Sequence, residues 1–235
     1  MSFEPPSASS AVLQGLDFGR AVPVASDCKA DFDGADSHSS DPSRCKALLR
    51  FPNGAVFWSS KMAIDADGPA AGPGRLSGSE LDPEDGEGQD ETTYQFPNGG
   101  PSLSSEVVPY LVVPGGPPGS PRKFRDATGL NLGDIAMVVF GDKMAGAIVG
   151  DVGPSNKIGE GSIRLHELLH PPAPDPCIRR DANGFCQRIR NASVEQDVLF
   201  FVFPGSALAD GIDQSNAEGR IRAEADRLFS ALKAQ

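Results

Sequence analysis

Short apolar runs bounded by glycine, proline, asparagine or aspartate recur along the chain, a pattern typical of short strands joined by turns. Asn53-Gly54 separates two of these runs and residues 141–144 separate another two, so each turn predicts a β-hairpin. The predicted strands are Ala47–Arg50, Ala55–Trp58, Val107–Val113, Ile135–Phe140, Ala145–Val149 and Val198–Phe203. The chain is therefore expected to be mainly β, either a barrel or a tightly wound sheet.

Two segments carry apolar residues at helical spacing instead. Ser162–His170 has Ser162 in position to cap the N-terminus of a helix. In Ser215–Lys233, Ile221 and Leu228 belong to an apolar face that lies opposite a charged one. We expect both helices to lie at the periphery of the β core.

Four segments show neither the pattern of short strands nor helical spacing. Residues 1–24, rich in Pro, Ser and Ala, predict a flexible, extended arm, and the remaining 25–235 predict a single domain. Residues 66–91 are rich in Gly, Pro and acids, too polar to pack, and predict one long surface loop. Residues 114–125 and 171–191 predict two more loops.

The chain of 235 residues has a formal net charge of −11, which limits its partners. Nucleic acid and anionic membrane surfaces are disfavoured because both require clustered Lys or Arg. No apolar stretch reaches the roughly 18 residues of a membrane span. The charge suits a cationic partner, although most acidic proteins are merely soluble. We expect a monomer.

The four cysteines fall into two local pairs, Cys28 with Cys45 and Cys177 with Cys186. Neither pair has the spacing of a zinc site, and four cysteines permit three pairings. Proximity favours two local disulfides, which form in an oxidising compartment and so predict a secreted, extracellular protein. Residues 1–10 show no signal-peptide pattern, so any such peptide would be absent from the chain as given.

The segment with the most chemical information contains Asp151 and Glu160. A predicted buried strand, Ala145–Val149, leads directly into Asp151 at a turn of glycine and proline. Glu160 lies between two glycines, just before the helix that begins near Ser162. Glycosidic bond hydrolysis needs two such carboxyl groups, one as acid and one as base or nucleophile. On spacing alone, a solvated surface pair is the more common explanation.

The full amino-acid sequence of this segment favours a catalytic pair over a solvated surface pair. Residues 148–162, IVGDVGPSNKIGEGS, closely resemble the signature of the chitosanases of glycoside hydrolase family 75. Residues 61–68, KMAIDADG, are similar to the Asp-Ile-Asp-Cys-Asp-Gly box of that family, with Ala63 and Ala66 replacing two of its residues. Residues 90–93 and 109–114 resemble its connecting strands, so the resemblance covers roughly Ala55 to Leu169.

The resemblance implies that 25–235 is the catalytic domain of an inverting endo-hydrolase. It would cut the β-1,4 linkages between glucosamine units of chitosan without a cofactor. The implied fold is a double-psi β-barrel. The implied roles are general acid for Glu160 and water-activating base for Asp151. One objection is local: Lys157 and a helix N-terminus both favour the ionised form of Glu160, whereas an acid must be protonated.

Asp65, Asp67 and Asp90 are candidate substrate-binding residues. Their carboxylates would bind the ammonium groups of glucosamine units. The alternative for Asp65 and Asp67 is a turn in which both accept backbone N–H groups. A calcium loop is disfavoured because Gly68 and Pro69 occupy the wrong positions, and no metal site is predicted.

Two other functions remain open at this point. One is a non-catalytic glycan-binding barrel similar to expansins, which would not need both Asp151 and Glu160. The other is a hydrolase of the same fold that acts on peptidoglycan or a neutral β-glucan. The replacements at Ala63 and Ala66 make the choice of substrate a real question.

Overall fold

The computed structural model describes residues 3–34, 45–82, 88–115, 123–190, 193–208 and 211–235. Its strands are β1 (Val22–Pro23), β2 (Ala47–Arg50), β3 (Val56–Asp65), β4 (Tyr110–Pro114), β5 (Ile135–Phe140), β6 (Lys143–Gly153), β7 (Glu160–Ser162), β8 (Cys177–Arg180), β9 (Cys186–Ile189) and β10 (Val194–Phe203). Its α-helices are α1 (Cys28–Phe32), α2 (Gly78–Leu81), α3 (Lys123–Thr128), α4 (Ile163–Leu168) and α5 (Ala217–Lys233).

Six of these strands close into a barrel. They follow the order β3, β10, β5, β6, β4 and β7, and β7 pairs back with β3. The β3–β7 and β4–β6 pairs are parallel, whereas the other pairs around the barrel are antiparallel. β1 and β2 extend the sheet beside β3, and β8 pairs with β9 in a separate hairpin. The predicted mainly β, barrel-like fold with few helices is confirmed.

Alternate residues of the strands divide between two hydrophobic clusters. The first cluster contains Phe57, Phe201 and Ile148 and packs against the apolar face of α5. The second contains Trp58 and Phe200, whose rings stack with centroids 5.0 Å apart. Because apolar side chains are buried on both faces of the sheet, the strands are continuous apolar runs and form a rigid frame.

The two predicted hairpins and the two predicted helices are confirmed. β2 pairs with β3 across Asn53-Gly54, and β5 pairs with β6 across residues 141–142. The Ser162 hydroxyl accepts the backbone N–H of Leu165 and so caps α4. β3 and β6 run further than predicted because their ends pair with β7 and β4, which the local sequence does not show.

The N-terminal segment differs from the extended arm that its composition predicts. From Phe3 onward it packs against the barrel, with Leu13 and Phe18 buried in the first cluster. The Phe3 ring lies 5.3 Å from the ring of Phe18 and 4.9 Å from that of Phe57. A few large apolar side chains in a Pro- and Ser-rich segment thus suffice to dock it.

Residues 66–91 also pack more than predicted. Within the described part of this segment, α2 buries Leu81 in a third cluster with Ala66 and Ile163. Disulfides join Cys28 to Cys45 and Cys177 to Cys186, the two local pairs. The second disulfide lies in the same cluster, so the β8–β9 hairpin supports the segment that follows β3.

None of the helices in the described ranges is long and apolar enough to cross a lipid bilayer.

Candidate active site

A cleft of about 680 Å³ opens where β3, β4, β6 and β7 meet. Among the described residues that line it, six are carboxylates and Lys157 is the single cation. No tyrosine, tryptophan or phenylalanine is among those described lining residues. These residues therefore offer a ligand charged groups and no aromatic ring on which a sugar could stack. The lining residues are Ile64, Asp65, Ala66, Asp67, Asp82, Gly88, Gln89, Glu91, Thr92, Thr93, Val112, Asp151, Val152, Gly153, Pro154, Lys157 and Glu160.

The two predicted catalytic carboxylates flank one residue of β4. Val112 is the register partner of Asp151 in β6 on one side and of Glu160 in β7 on the other. Neighbouring strands lie about 4.8 Å apart, so the two backbones are separated by roughly 10 Å. The structure thus brings Asp151 and Glu160 to one face of the sheet, on opposite sides of Val112.

A β-bulge in β6 sets the direction of Asp151. Leu111 pairs with Val149 but Val112 pairs with Asp151, so Gly150 is an extra residue in the β6 strand. A bulge re-aims the side chains that follow it. Only glycine fits here, because a Cβ at position 150 would lie 2.6 Å from the Cβ of Tyr110.

Three donors converge on one oxygen of Asp151. Its Oδ1 accepts the backbone N–H of Thr93 at 3.0 Å and that of Val152 at 2.7 Å, and it also accepts the Thr93 hydroxyl. The side chain is 7% exposed. Asp151 is therefore a buried carboxylate with one oxygen fully engaged at the edge of the cleft.

Glu160 has a different kind of partner. The Lys157 Nζ lies 2.7 Å from Glu160 Oε1, an ion pair that confirms their predicted proximity. The other carboxylate oxygen lies against Gly153, where a Cβ would be only 3.1 Å from it. The Glu160 carboxyl therefore reaches back toward β6, the strand that carries Asp151.

Asp65 and Asp67 join Asp151 in a tight group. Carboxylate oxygens of the three lie within 4.8 Å of one another, close enough for one cation to contact all of them. Asp65 Oδ1 accepts the backbone N–H of Asp67 at 2.8 Å, as the predicted turn requires. Burial, then the charges of Asp67 and Asp151, raise the pKa of Asp65 well above its ordinary value. Asp65 thus retains a proton under conditions that ionise a free aspartate.

Tyr110 contacts this group of aspartates through its side-chain hydroxyl. Its buried hydroxyl lies 2.8 Å from the carbonyl oxygen of Asp67 and 3.1 Å from Asp65 Oδ1. Burial and the surrounding carboxylates raise the pKa of Tyr110 well above its ordinary value. The phenol therefore remains protonated and serves as a permanent donor.

Asp90, the third predicted substrate-binding residue, lies elsewhere. Its Oδ1 accepts the Ser79 hydroxyl at 2.6 Å and the Ser79 backbone N–H at 3.3 Å. The hydroxyls of Ser79 and Ser77 lower the pKa of Asp90. Asp90 is not among the described residues that line the cleft, and it fixes the first turn of α2 instead. Its role in substrate binding stays a prediction that this placement does not favour.

Several cleft residues carry no local sequence signal. Thr93, Asp82 and Glu91 lie far from Asp151 along the chain and reach the cleft only through tertiary packing. No local motif marks Thr93, the direct partner of Asp151. The one available signal is its position inside the segment that resembles a connecting strand.

The site lies within a region that matches a known family. A model described as fungal chitosanase of glycosyl hydrolase group 75 matches residues 62–232, which is most of the chain. The match extends beyond the motifs at 61–68 and 148–162 and includes α5. A search of curated proteins returns no match.

Proposed function

The chain belongs to the fungal chitosanase family of glycosyl hydrolase group 75, and from that premise we propose that it cuts chitosan internally, at β-1,4 linkages between glucosamine units. The observation that carries this proposal is the placement of Asp151 and Glu160 on either side of Val112, inside a cleft whose described charged residues are six acids and one lysine. Hydrolysis of a glycosidic bond uses two carboxyl groups that lie on either side of that bond.

The proposed mechanism inverts the configuration at the anomeric carbon. Asp151 takes a proton from a water molecule, and the oxygen of that water bonds to the anomeric carbon. Glu160 gives its proton to the glycosidic oxygen as the bond from that oxygen to the anomeric carbon breaks. An inverting pair needs its carboxyl groups about 6.5–9.5 Å apart to leave room for the water, and the placement of the two residues on strands separated by β4 supports such a gap.

Glu160 must give a proton in every turnover, whereas its Oε1 atom is engaged in an ion pair with Lys157. We therefore expect this ion pair to open when the sugar chain enters the cleft. The side chain of Lys157 is partly exposed, at 27%, so solvent can reach its ammonium group when the ion pair opens. Asp151 has backbone and hydroxyl donors instead, which supports its assignment as the base.

Asp65 and Asp67 are proposed to recognise the ammonium group of a glucosamine unit. Their oxygens lie within 4.8 Å of each other and of Asp151. An ammonium that binds there would stabilise the ionised form of Asp65 and release its proton. This proposal needs neither metal nor cofactor, because a protonated amine supplies the positive charge that the cleft lacks.

The two disulfides support an extracellular location, since such bonds persist in oxidising compartments. We further propose that the protein acts as a monomer. Light scattering coupled to gel filtration would measure its mass directly.

Substrate comparison tests the proposal. The protein is incubated with chitosan, chitin, peptidoglycan and a neutral β-glucan, and reducing ends and product sizes are followed. We expect rapid release from chitosan, with short oligomers and an early fall in viscosity. Asp151→Asn serves as the control for contaminating activity. Binding to chitosan without hydrolysis would identify a non-catalytic barrel, and preference for peptidoglycan or glucan would change the substrate class.

A further inference from the structure

Thr93 makes two bonds to the same oxygen of Asp151. Its backbone N–H lies 3.0 Å from Asp151 Oδ1, and its hydroxyl donates to that oxygen as well. The two residues are 58 positions apart in the sequence. The contact is thus created by the fold and joins the segment before β4 to the bulged end of β6.

The backbone around Thr93 is fixed on both sides. The Tyr94 N–H donates to the Gly150 carbonyl at 3.0 Å, beside the bulge. The Thr92 hydroxyl accepts the Leu103 N–H at 2.9 Å and donates to the Tyr94 carbonyl at 3.2 Å. Thr93 therefore meets Asp151 from a preorganised position, without any need for rearrangement.

The bonds to Asp151 fall on one oxygen only. Thr93 supplies two of them and the Val152 N–H supplies the third, all to Oδ1. Within the described ranges no donor bonds to Oδ2, and Asp151 lines the cleft. A carboxylate held in this way presents a single free oxygen in a fixed direction.

We propose that Thr93 is the positioning residue of the base, which holds Asp151 so that Oδ2 meets the attacking water. This inference rests on the proposed function, because it assumes that Asp151 activates water. The hydroxyl is the part that acts specifically, since any residue at position 93 supplies the backbone N–H. General-base catalysis depends strongly on the direction of the acceptor, so a loosened carboxylate loses rate and keeps substrate binding.

Two matched comparisons isolate the hydroxyl. Thr93→Val keeps the shape of the side chain and removes the donor. Thr93→Ser and Thr93→Ala both lose the methyl group and differ from each other only in the hydroxyl. Because the Thr93 side chain is exposed, these variants are expected to fold. Thr128→Val is the matched control, since the Thr128 hydroxyl donates to the Phe124 carbonyl and accepts the Leu130 N–H, and Thr128 is not among the described residues that line the cleft.

Steady-state kinetics on chitosan and thermal melts of the same preparations provide the test. We expect Thr93→Val to lower kcat by about 10- to 100-fold, part of the range of a general base, with KM changed by less than about threefold. Thr93→Ser should recover most of the rate, and Thr93→Ala should not. Thr128→Val should instead lower Tm and leave kcat unchanged.

The outcomes separate this inference from the proposed function. If Asp151→Asn is inactive while Thr93→Val and Thr93→Ala keep the wild-type kcat, Thr93 does not position the base. A loss of Tm in Thr93→Ala with equal kcat in the serine and alanine variants would assign Thr93 a purely structural role. If Asp151→Asn itself retains full hydrolysis, the assignment of the base fails, whatever position 93 does.

Discussion

Two pockets of this protein differ in the balance of their acidic and basic lining residues. The cleft of about 680 Å³ has six carboxylates and one lysine among its described lining residues. A second groove, of about 380 Å³, is lined by three arginines and three glutamates within the described part of the chain. In that groove Arg75 lies 2.9 Å from Glu106, Arg164 lies 2.7 Å from Glu218, and Arg180 lies 2.9 Å from Glu167.

The difference supports the proposal that the first pocket binds the substrate and that the second connects elements of the fold. The balanced groove joins α4, α5 and the disulfide-bonded β8–β9 hairpin, so its ion pairs connect elements of the fold. Burial and the neighbouring carboxylates of the cleft raise the pKa of Asp65, and this shift costs stability at neutral pH. An excess of like charge in a cleft is typical of functional sites. The following experiments test this contrast, from the largest expected effect to the smallest.

Removing either proposed catalytic carboxylate should have the largest effect. We expect Asp151→Asn and Glu160→Gln each to reduce kcat on chitosan by at least about 100-fold, since both proton transfers occur in every turnover. Initial rates of reducing-end release measure this. Glu218→Gln in the balanced groove is the matched control, with an unchanged rate. Retention of more than about a tenth of the activity would show that the substituted carboxylate is misassigned.

Neutralising the aspartates beside the proposed catalytic pair should have the second-largest effect, a weaker binding of chitosan. We expect Asp65→Asn and Asp67→Asn to raise KM for chitosan roughly tenfold, the order of a charged hydrogen bond, with a smaller change in kcat. Removal of binding shared by ground and transition states has this signature. Added salt should raise the wild-type KM for chitosan in the same direction. An unchanged KM in both variants would remove the two aspartates from the site.

The pH dependence of stability should distinguish the two pockets further. Because the pKa of Asp65 is raised, the folded protein holds this proton more tightly than the unfolded chain. Stability is therefore lost as pH rises from the ordinary aspartate value through the raised pKa. We expect Asp65→Asn to raise Tm at pH 7 and to show no gain near pH 4. Each kcal/mol gained in the free energy of unfolding would raise Tm by about 2–4 °C. A lower Tm at pH 7 would indicate that Asp65 is needed as a charge in the turn.

The smallest effect belongs to the balanced groove. Arg164 and Glu218 have side chains 31% and 32% exposed, so their ion pair is partly screened. A double-mutant cycle with Arg164→Gln and Glu218→Gln should give a coupling of about 0.5–1 kcal/mol in stability. Thermal or urea melts measure it, and KM for chitosan serves as the readout that should not move. A clear rise in KM would mean that this groove also contacts the substrate.

The sequence predicted the parts of this molecule that depend on local signals. The strand Ile135–Phe140 has the predicted bounds because turn residues limit an apolar run on both sides. Asp151 and Glu160 were predicted together because both lie within one short segment that resembles a family signature. By contrast, β7 is only three residues long and exists because it pairs with β3 and β4. The direction of Asp151 depends on a bulge relative to β4, and the bond from Thr93 depends on a contact across 58 positions. Neither leaves a trace in local periodicity.

The anomeric configuration of the first product tests the account most directly. Chitosan oligomers are hydrolysed in an NMR tube, and the signals of the new reducing end are followed before mutarotation sets in. With Asp151 activating water on the opposite face of the sugar from Glu160, the first product of a β-linked chain should be the α-anomer. Initial appearance of the β-anomer would contradict the inverting arrangement of these two carboxylates.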